Sequence, residues 1–265
     1  MNDQVWFHIF SGALVLVCAL EIFFPQSSAP PERVRRWPVN VSLAIFEGVI
    51  ASVVPALPIL AAQWAAERQI GLFNWIAMPL WFALPIAIIL QSLATYVFHL
   101  MSHVNPLLWR LHKIHHSDKY LDATSTLRHH PIESVVVMCF FAAIAAICGL
   151  SPFALVVYGM TAQMFDLLQH ANLRIPEKWD RLARIVFVTP ALHRIHHSNI
   201  RVETDSNYGD IFPLWDRLFG TYRGEPLATG ARIVFGLDDV DKEQADDFLD
   251  QLTLPWREPE AATNH

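Results

Sequence analysis

Three stretches of this chain stay apolar for longer than a buried core helix requires. Val5 to Phe24, Val39 to Ala66 and Trp75 to Phe98 carry few charges. Each is long enough to cross a hydrocarbon layer of about 30 Å at about 1.5 Å per residue. Lipid offers no partner to a bare peptide group, so such segments fold as helices. Charged residues make up 17% of the 265 and apolar ones 53%, whereas ordinary soluble domains carry about 25% charged residues. Val135 to Leu150 and Pro152 to Leu168 are shorter, and Gly149-Leu150-Ser151-Pro152 parts them. That break predicts a tight helical hairpin that enters the membrane and returns. The expected fold is all-α: a polytopic membrane helical bundle of about four to five membrane helices, with a cytosolic helical cap carrying a histidine-rich dimetal site.

The placement of positive charge gives an orientation. Only Arg68 lies between the second and third apolar spans, Arg33, Arg35 and Arg36 follow the first, and the other fifteen lysines and arginines come after the third. Under the positive-inside rule the N-terminus is expected outside, residues 25–38 inside, residues 67–74 outside, and the polar chain from His99 onward, C-terminus included, in the cytoplasm. In a bacterium the membrane would be the inner one. Val5 to Phe24 lacks a basic leading segment and a small-x-small site before Pro25, so it reads as a retained helix and not a cleaved signal. The expected organisation is a membrane base over 1–98, a catalytic region over 99–223 that includes a membrane hairpin at 135–168, and a cytosolic tail over 224–265. Acids from Asp238 to Asp250, with Phe248, Leu249 and Leu252 as an apolar stripe, predict a short capping helix in that tail. Arg174, Lys178, Arg181 and Arg184 alternate with Trp179, Leu182, Ile185 and Phe187, a pattern suited to the headgroup layer.

Eight of the thirteen histidines fall in three clusters: His99-x-x-x-His103, His112-x-x-His115-His116 and His193-x-x-His196-His197. Residues three and four apart share one face of a helix, and neutral imidazole is the commonest protein metal ligand. The first pair belongs at the cytosolic end of the third span, which should stop near Asn105-Pro106. The second belongs on a short helix over Leu107 to Ser117, and the third on a helix opening at Thr189-Pro190. His112 to Ser117 and His193 to Ser198 agree at five of six positions, which predicts two equivalent helices facing across a dinuclear centre, each presenting three imidazoles. Eight imidazoles exceed what one ion takes, so two metals are expected. An all-nitrogen set suits zinc, copper, iron or nickel alike.

His170 ends the hairpin on the cytosolic side and is expected as a ninth ligand. His130, before Pro131, is a weaker candidate. Ligating imidazoles usually donate their second N–H to a carboxylate or carbonyl, and Asp118, Asp122, Asp166, Asp205 and Asp216 are candidates for that part, with Asn207 in the same polar turn as Asp205. His8, His129 and His265 carry no such expectation. The competing function is a membrane metal-binding or metal-transport protein without oxygen chemistry. Transporters hold ions near the bilayer midplane, whereas these histidines gather past the helix ends. Nothing in the sequence points to nucleic acid as a partner.

Taken in order, these motifs resemble the fatty acid hydroxylase superfamily, the membrane-bound di-iron group that includes sterol desaturases and sphingolipid hydroxylases. The resemblance runs from about Tyr96 to Tyr222 and includes Trp109-Arg-x-His112-Lys-x-His-His-Ser117, Arg128-x-His130-Pro131, Gln169-His170-x-Asn172, Asp205-x-Asn207-Tyr-Gly209 and Trp215-Asp-x-Leu-Phe-Gly-Thr-Tyr222 besides the histidine clusters. It implies two Fe ions, O2 as co-substrate and a lipid C–H bond as target, to be hydroxylated or desaturated. It puts His99, His103, His112, His115, His116, His193, His196 and His197 on the family's histidine boxes and His170 on its additional histidine. Some members carry a fused cytochrome b5 domain. This chain has no room for one, so a separate electron-transfer protein is expected.

Overall fold

A computed structural model describes residues 3–28, 33–53, 57–76, 78–227 and 233–257. His265 and the end of the acidic tail lie outside those residues. The chain forms α1 (Asp3–Phe23), α2 (Arg33–Val53), α3 (Leu57–Glu67), α4 (Leu72–Trp75), α5 (Leu80–Val104), α6 (Pro106–His116), α7 (Pro131–Cys148) and α8 (Pro152–His170), followed by the shorter α9 (Glu177–Ala183), α10 (Pro190–His196), α11 (Arg201–Thr204), α12 (Leu214–Phe219), α13 (Lys242–Ala245) and α14 (Phe248–Thr253). The described residues hold no strand, only two isolated bridges, Pro25 with Leu173 and Ser198 with Phe235.

Among the described residues, three helices are long and apolar enough to cross a membrane: Val5–Phe23, Leu80–Val104 and Pro131–Cys148. Large side chains on them, among them Phe7, Leu16, Trp81 and Ile147, stand uncovered, as a lipid-facing surface would. The stretch from Val39 to Ala66, expected as one span, is instead two helices, α2 and α3. Pro58 is the second residue of α3, in the first turn, where a missing backbone N–H costs the helix nothing. A short turn joins α7 and α8 where expected, but the two helices do not pack tightly on each other: α3 lies along α7 and also touches α8. Gly149 closes α7 in the left-handed conformation (φ 71°), and the Ser151 hydroxyl caps α8. Gly71, also left-handed, abuts Gly149 so closely that a Cβ there would lie 2.3 Å from the Gly149 nitrogen. Ala62, Ala87, Ala145 and Ala154 form the adjoining core of α3, α5, α7 and α8, small residues that let helix backbones approach.

The opposite end of the bundle carries the histidines. Asn105 ends α5 and caps α6, its side chain accepting from the Leu107 and Leu108 amides. One residue thus sets the angle between two histidine-bearing helices. Arg36, at the start of α2, is buried and donates to Asp118 Oδ1 and Oδ2 at 2.7 Å and to Asp122 Oδ2 at 2.9 Å. Burial alone would raise the Asp118 carboxyl, but the Arg36 guanidinium holds it well below the usual carboxylate range. Arg128, fully buried, donates to the Ile114 and Ala245 carbonyls, to Asn40 Oδ1 and to Ser117 Oγ. These two arginines tie α2, α6 and the tail to the loop between α6 and α7. The tail caps the domain as expected: Ala245 and Leu254 share a core with Leu43 and Ile114, with Phe248 and Leu252 packed on it. Leu249 of the expected stripe is exposed instead. In and after α9, Trp179, Leu182 and Ile185 stand exposed.

Candidate metal centre

Nine imidazoles converge at the end of α5, on α6 and α10, and at the end of α8. His99, His103, His112, His116 and His196 form one group, and His115, His170, His193 and His197 a second. Within each group one ring nitrogen per residue lies within 4.8 Å of all the others. All are buried except His99, which is partly so. The two similar hexapeptides do face one another, but not as a three-plus-three pair. α6 gives His112 and His116 to the five-histidine group and His115 to the other, while α10 gives His193 and His197 to the four-histidine group and His196 to the first. The cause is helical geometry. Residues three and four apart share a face but differ by tens of degrees, enough to aim neighbouring imidazoles at two points a few ångströms apart.

The Nδ1 atoms of most of these rings are anchored to fixed acceptors. His99 Nδ1 donates to the Tyr208 carbonyl at 2.9 Å, His103 to Asp205 at 3.3 Å and His112 to Glu133 at 2.7 Å. His115 donates to the Arg128 carbonyl at 3.3 Å, His170 to the Asp166 carbonyl at 2.8 Å and His196 to the Ser206 carbonyl at 2.7 Å. Each anchored ring turns its Nε2 lone pair inward. In the four-histidine group the Nε2 atoms of His115, His197 and His193 lie 3.0, 3.1 and 3.1 Å from that of His170. In the five-histidine group His99, His103 and His196 have buried Nε2 atoms without a hydrogen-bond partner. A buried polar atom left unmade is costly, and converging imidazole lone pairs are what a cation held at about 2.0–2.1 Å per nitrogen would satisfy. The donor set fits a metal in each group.

Electrostatics favour the ligating form. Burial and the neighbouring imidazoles push His115, His116, His193 and His197 well below the ordinary histidine range. Burial brings His196 down to about 3 despite the carbonyl on its Nδ1. Neutral imidazoles are the species that bind metals.

Of the residues expected behind the ligands, Asp166 and Asp205 touch them: Asp166 Oδ1 lies 3.4 Å from His170 Nδ1, and Asp205 holds His103. Asn207 does not. In the left-handed region at φ 54°, it donates to the Leu192 and Arg223 carbonyls, fixing the loop whose neighbours Ser206 and Tyr208 supply the acceptors. His130 caps α7, accepting from the Ile132 amide, and packs on Trp256. Asp118 and Asp122 serve Arg36, and Asp216 accepts from the Tyr208 and Gly209 amides. The sequence reading missed two residues. Glu133 is the carboxylate behind His112, and the available signal was its position in the first turn after Pro131. His129, expected to be ordinary, stacks on His115 with centroids 4.7 Å apart and faces Glu133 Oε2 at 3.8 Å. Burial draws its pKa down, but the Glu133 carboxylate overrides this and lifts it to about 9.

A cavity of about 380 Å³ adjoins the histidines. His99, His112, His115 and His193 are among its lining, and Phe98, Val137, Met138 and Phe141 give it an apolar wall from α5 and α7. Glu47, Asp166 and Asp210 also line it.

A family model described as fatty acid hydroxylase matches residues 84–221. An ornithine lipid hydroxylase of Rhizobium tropici is 28% identical over 178 residues, which cover 67% of this chain and 51% of that protein. Human alkylglycerol monooxygenase is 29% identical over 144 residues, 54% of this chain and 30% of that one. Sphinganine C4-monooxygenase 1 of Arabidopsis thaliana is 25% identical over 225 residues, 82% and 84% of the two chains. The matched stretch thus spans about half of the first relative and under a third of the second. No solved structure matches.

Proposed function

The chain belongs to the fatty acid hydroxylase family and is an integral membrane protein, and from that premise we propose that it is a di-iron monooxygenase that hydroxylates a C–H bond of a membrane lipid. The observation that carries the reading is the pairing of two imidazole groups with an apolar cavity walled by two candidate spanning helices. Two bound irons would supply O2 activation, so that substrate C–H, O2, two electrons and two protons give C–OH and water. Hydroxylation is preferred to desaturation because the relatives bear hydroxylase or monooxygenase names. The same names weigh against metal transport.

The chain's own residues divide the remaining work. His99, His103, His112, His116 and His196 would hold one iron, and His115, His170, His193 and His197 the other. Glu133, Asp205 and the loop carbonyls fix the ring orientations. Phe98, Val137, Met138 and Phe141 admit a hydrocarbon tail from the bilayer and keep bulk water from its reacting carbon. The basic residues after the third span support an orientation with the histidines in the cytoplasm and the N-terminus outside, where a separate electron-transfer protein can reach them.

Comparison of lipid extracts from cells with and without the protein, under air and under argon, tests this. An O2-dependent species heavier by one oxygen atom, lost in His196→Ala, is expected. Unchanged lipids from cells whose purified protein contains two irons would refute it.

A further inference from the structure

Trp109 is the ring through which the five-histidine group approaches the protein surface. The indole centroid lies 5.1 Å from that of His103 and 5.6 Å from that of His116. Both imidazoles are buried, whereas Trp109 is only half-buried. Tyr208 touches the same group but is itself buried and backed by buried Tyr96. The Arg201 guanidinium covers the other side of the indole, 5.0 Å from its centre, with a side chain 57% exposed. Arg110, next to Trp109 on α6, is exposed and has no ion-pair partner among the described residues. Among the described residues Asp205 is the one carboxylate paired with Arg201. Val104 and Leu107 stand exposed around the junction of α5 and α6, and Val202 beside Arg201.

We propose that this face docks an acidic, one-electron donor protein, with Trp109 positioned to shorten the path from the donor's redox group to the five-histidine group. The inference rests on the redox reading of the site. Partners of this kind are steered by opposite charge, which sets on-rate and salt dependence, and an apolar centre within a charged rim is common interface anatomy. Arg110 and Arg201 supply the charge, Leu107 and Val202 the apolar contact, and the half-buried indole, itself outside the group, packs against the buried imidazoles His103 and His116. In each transfer the donor is oxidised by one electron and the metal reduced by one. No bond forms or breaks at the docking face.

The test uses the full chain in lipid nanodiscs and a plant-type acidic [2Fe–2S] ferredoxin as probe. Ferredoxin binding is titrated first on the metal-free protein, and Arg110→Glu is expected to weaken it at least tenfold at low salt, with the difference shrinking as salt is raised. On the iron-loaded protein, Trp109→Leu is expected to slow ferredoxin-driven reduction at least tenfold without changing binding, and Trp109→Phe to restore most of the rate. Dithionite should reduce the Arg110→Glu protein at the unmodified rate. Absence of saturable ferredoxin binding, Arg110→Glu binding at full strength, or unimpaired reduction of Trp109→Leu would each overturn the docking face and leave the proposed function standing. If dithionite reduces no iron in the unmodified protein, the redox reading itself falls, and this inference with it.

Discussion

Glu133 Oε1 lies 2.7 Å from His112 Nδ1, so a carboxylate in the first turn of α7 fixes an imidazole on α6. Its Oε2 faces His129, which stacks on His115 of the other group. Removing the charge should loosen the hold on the His112 ring. Glu133→Gln is expected to reduce metal affinity about 10- to 100-fold at one of two sites, the range typical of partners behind a ligand. Metal titration with a competing chelator measures it, and two sites of unaltered affinity would show that Glu133 is not needed.

The two groups should empty separately at the level of direct ligands. His193→Ala removes a nitrogen from the four-histidine group and His196→Ala one from the five-histidine group. Each variant is expected to abolish activity, as is His115→Ala, while membrane insertion stays intact because these residues lie outside the candidate spans. Elemental analysis of the purified variants should find closer to one metal per chain than two.

Val137 lines the cavity from α7 and belongs to neither histidine group. Val137→Trp should fill much of the space beside Phe98 and Met138, lowering lipid turnover at least tenfold with metal content unchanged. Normal turnover of long-chain lipid by this variant would place the substrate elsewhere.

Arg36 predicts the largest loss of stability. Breaking one side of a buried ion pair leaves uncompensated charge and costs about 3–5 kcal/mol; here Arg36→Met would strand both Asp118 and Asp122. Arg36→Lys should recover little, since an ammonium cannot reproduce the forked contacts to both carboxylates. Chemical denaturation in detergent gives the number. A loss below about 1 kcal/mol, the ceiling for most exposed pairs, would mean that the network contributes no more than a surface salt bridge.

Acid should destabilise the metal-free protein through the same histidines. Burial depresses the folded-state pKa values of His115, His116, His193, His196 and His197 below the ordinary histidine value of about 6.5. Below about pH 6.5 the unfolded chain takes up protons that the folded chain does not, so stability present above that pH falls as the pH drops toward the folded values. Melting temperatures recorded from pH 8 to pH 4 should decline steadily below 6.5. A flat profile would mean that the imidazoles are not desolvated.

The fold and the converging histidines were legible for different reasons. The spans came from length and apolarity, the histidine helices from spacing, and the hairpin from Gly149 and Ser151. That Val39 to Ala66 forms two helices was hidden because the stretch is predominantly apolar, and composition does not show where one helix gives way to the next. All nine imidazoles were found from their clustering and the position of His170. Their division into five and four was not, because it depends on the relative rotation of α6 and α10. Glu133 escaped because it lies 21 residues from His112, and only the folded loop through Arg128 brings it near. Backbone carbonyls such as those of Ser206 and Tyr208 have no signature in a sequence at all.

Because α6 and α10 each contribute to both groups, a cation in one group steadies helices that also carry rings of the other, although no ring is shared. The first ion to bind would thus ready the remaining nitrogens, and the second should bind more tightly than the first. Each group keeps its own full set of nitrogens, so loss of a ligand from one should still leave the other able to fill.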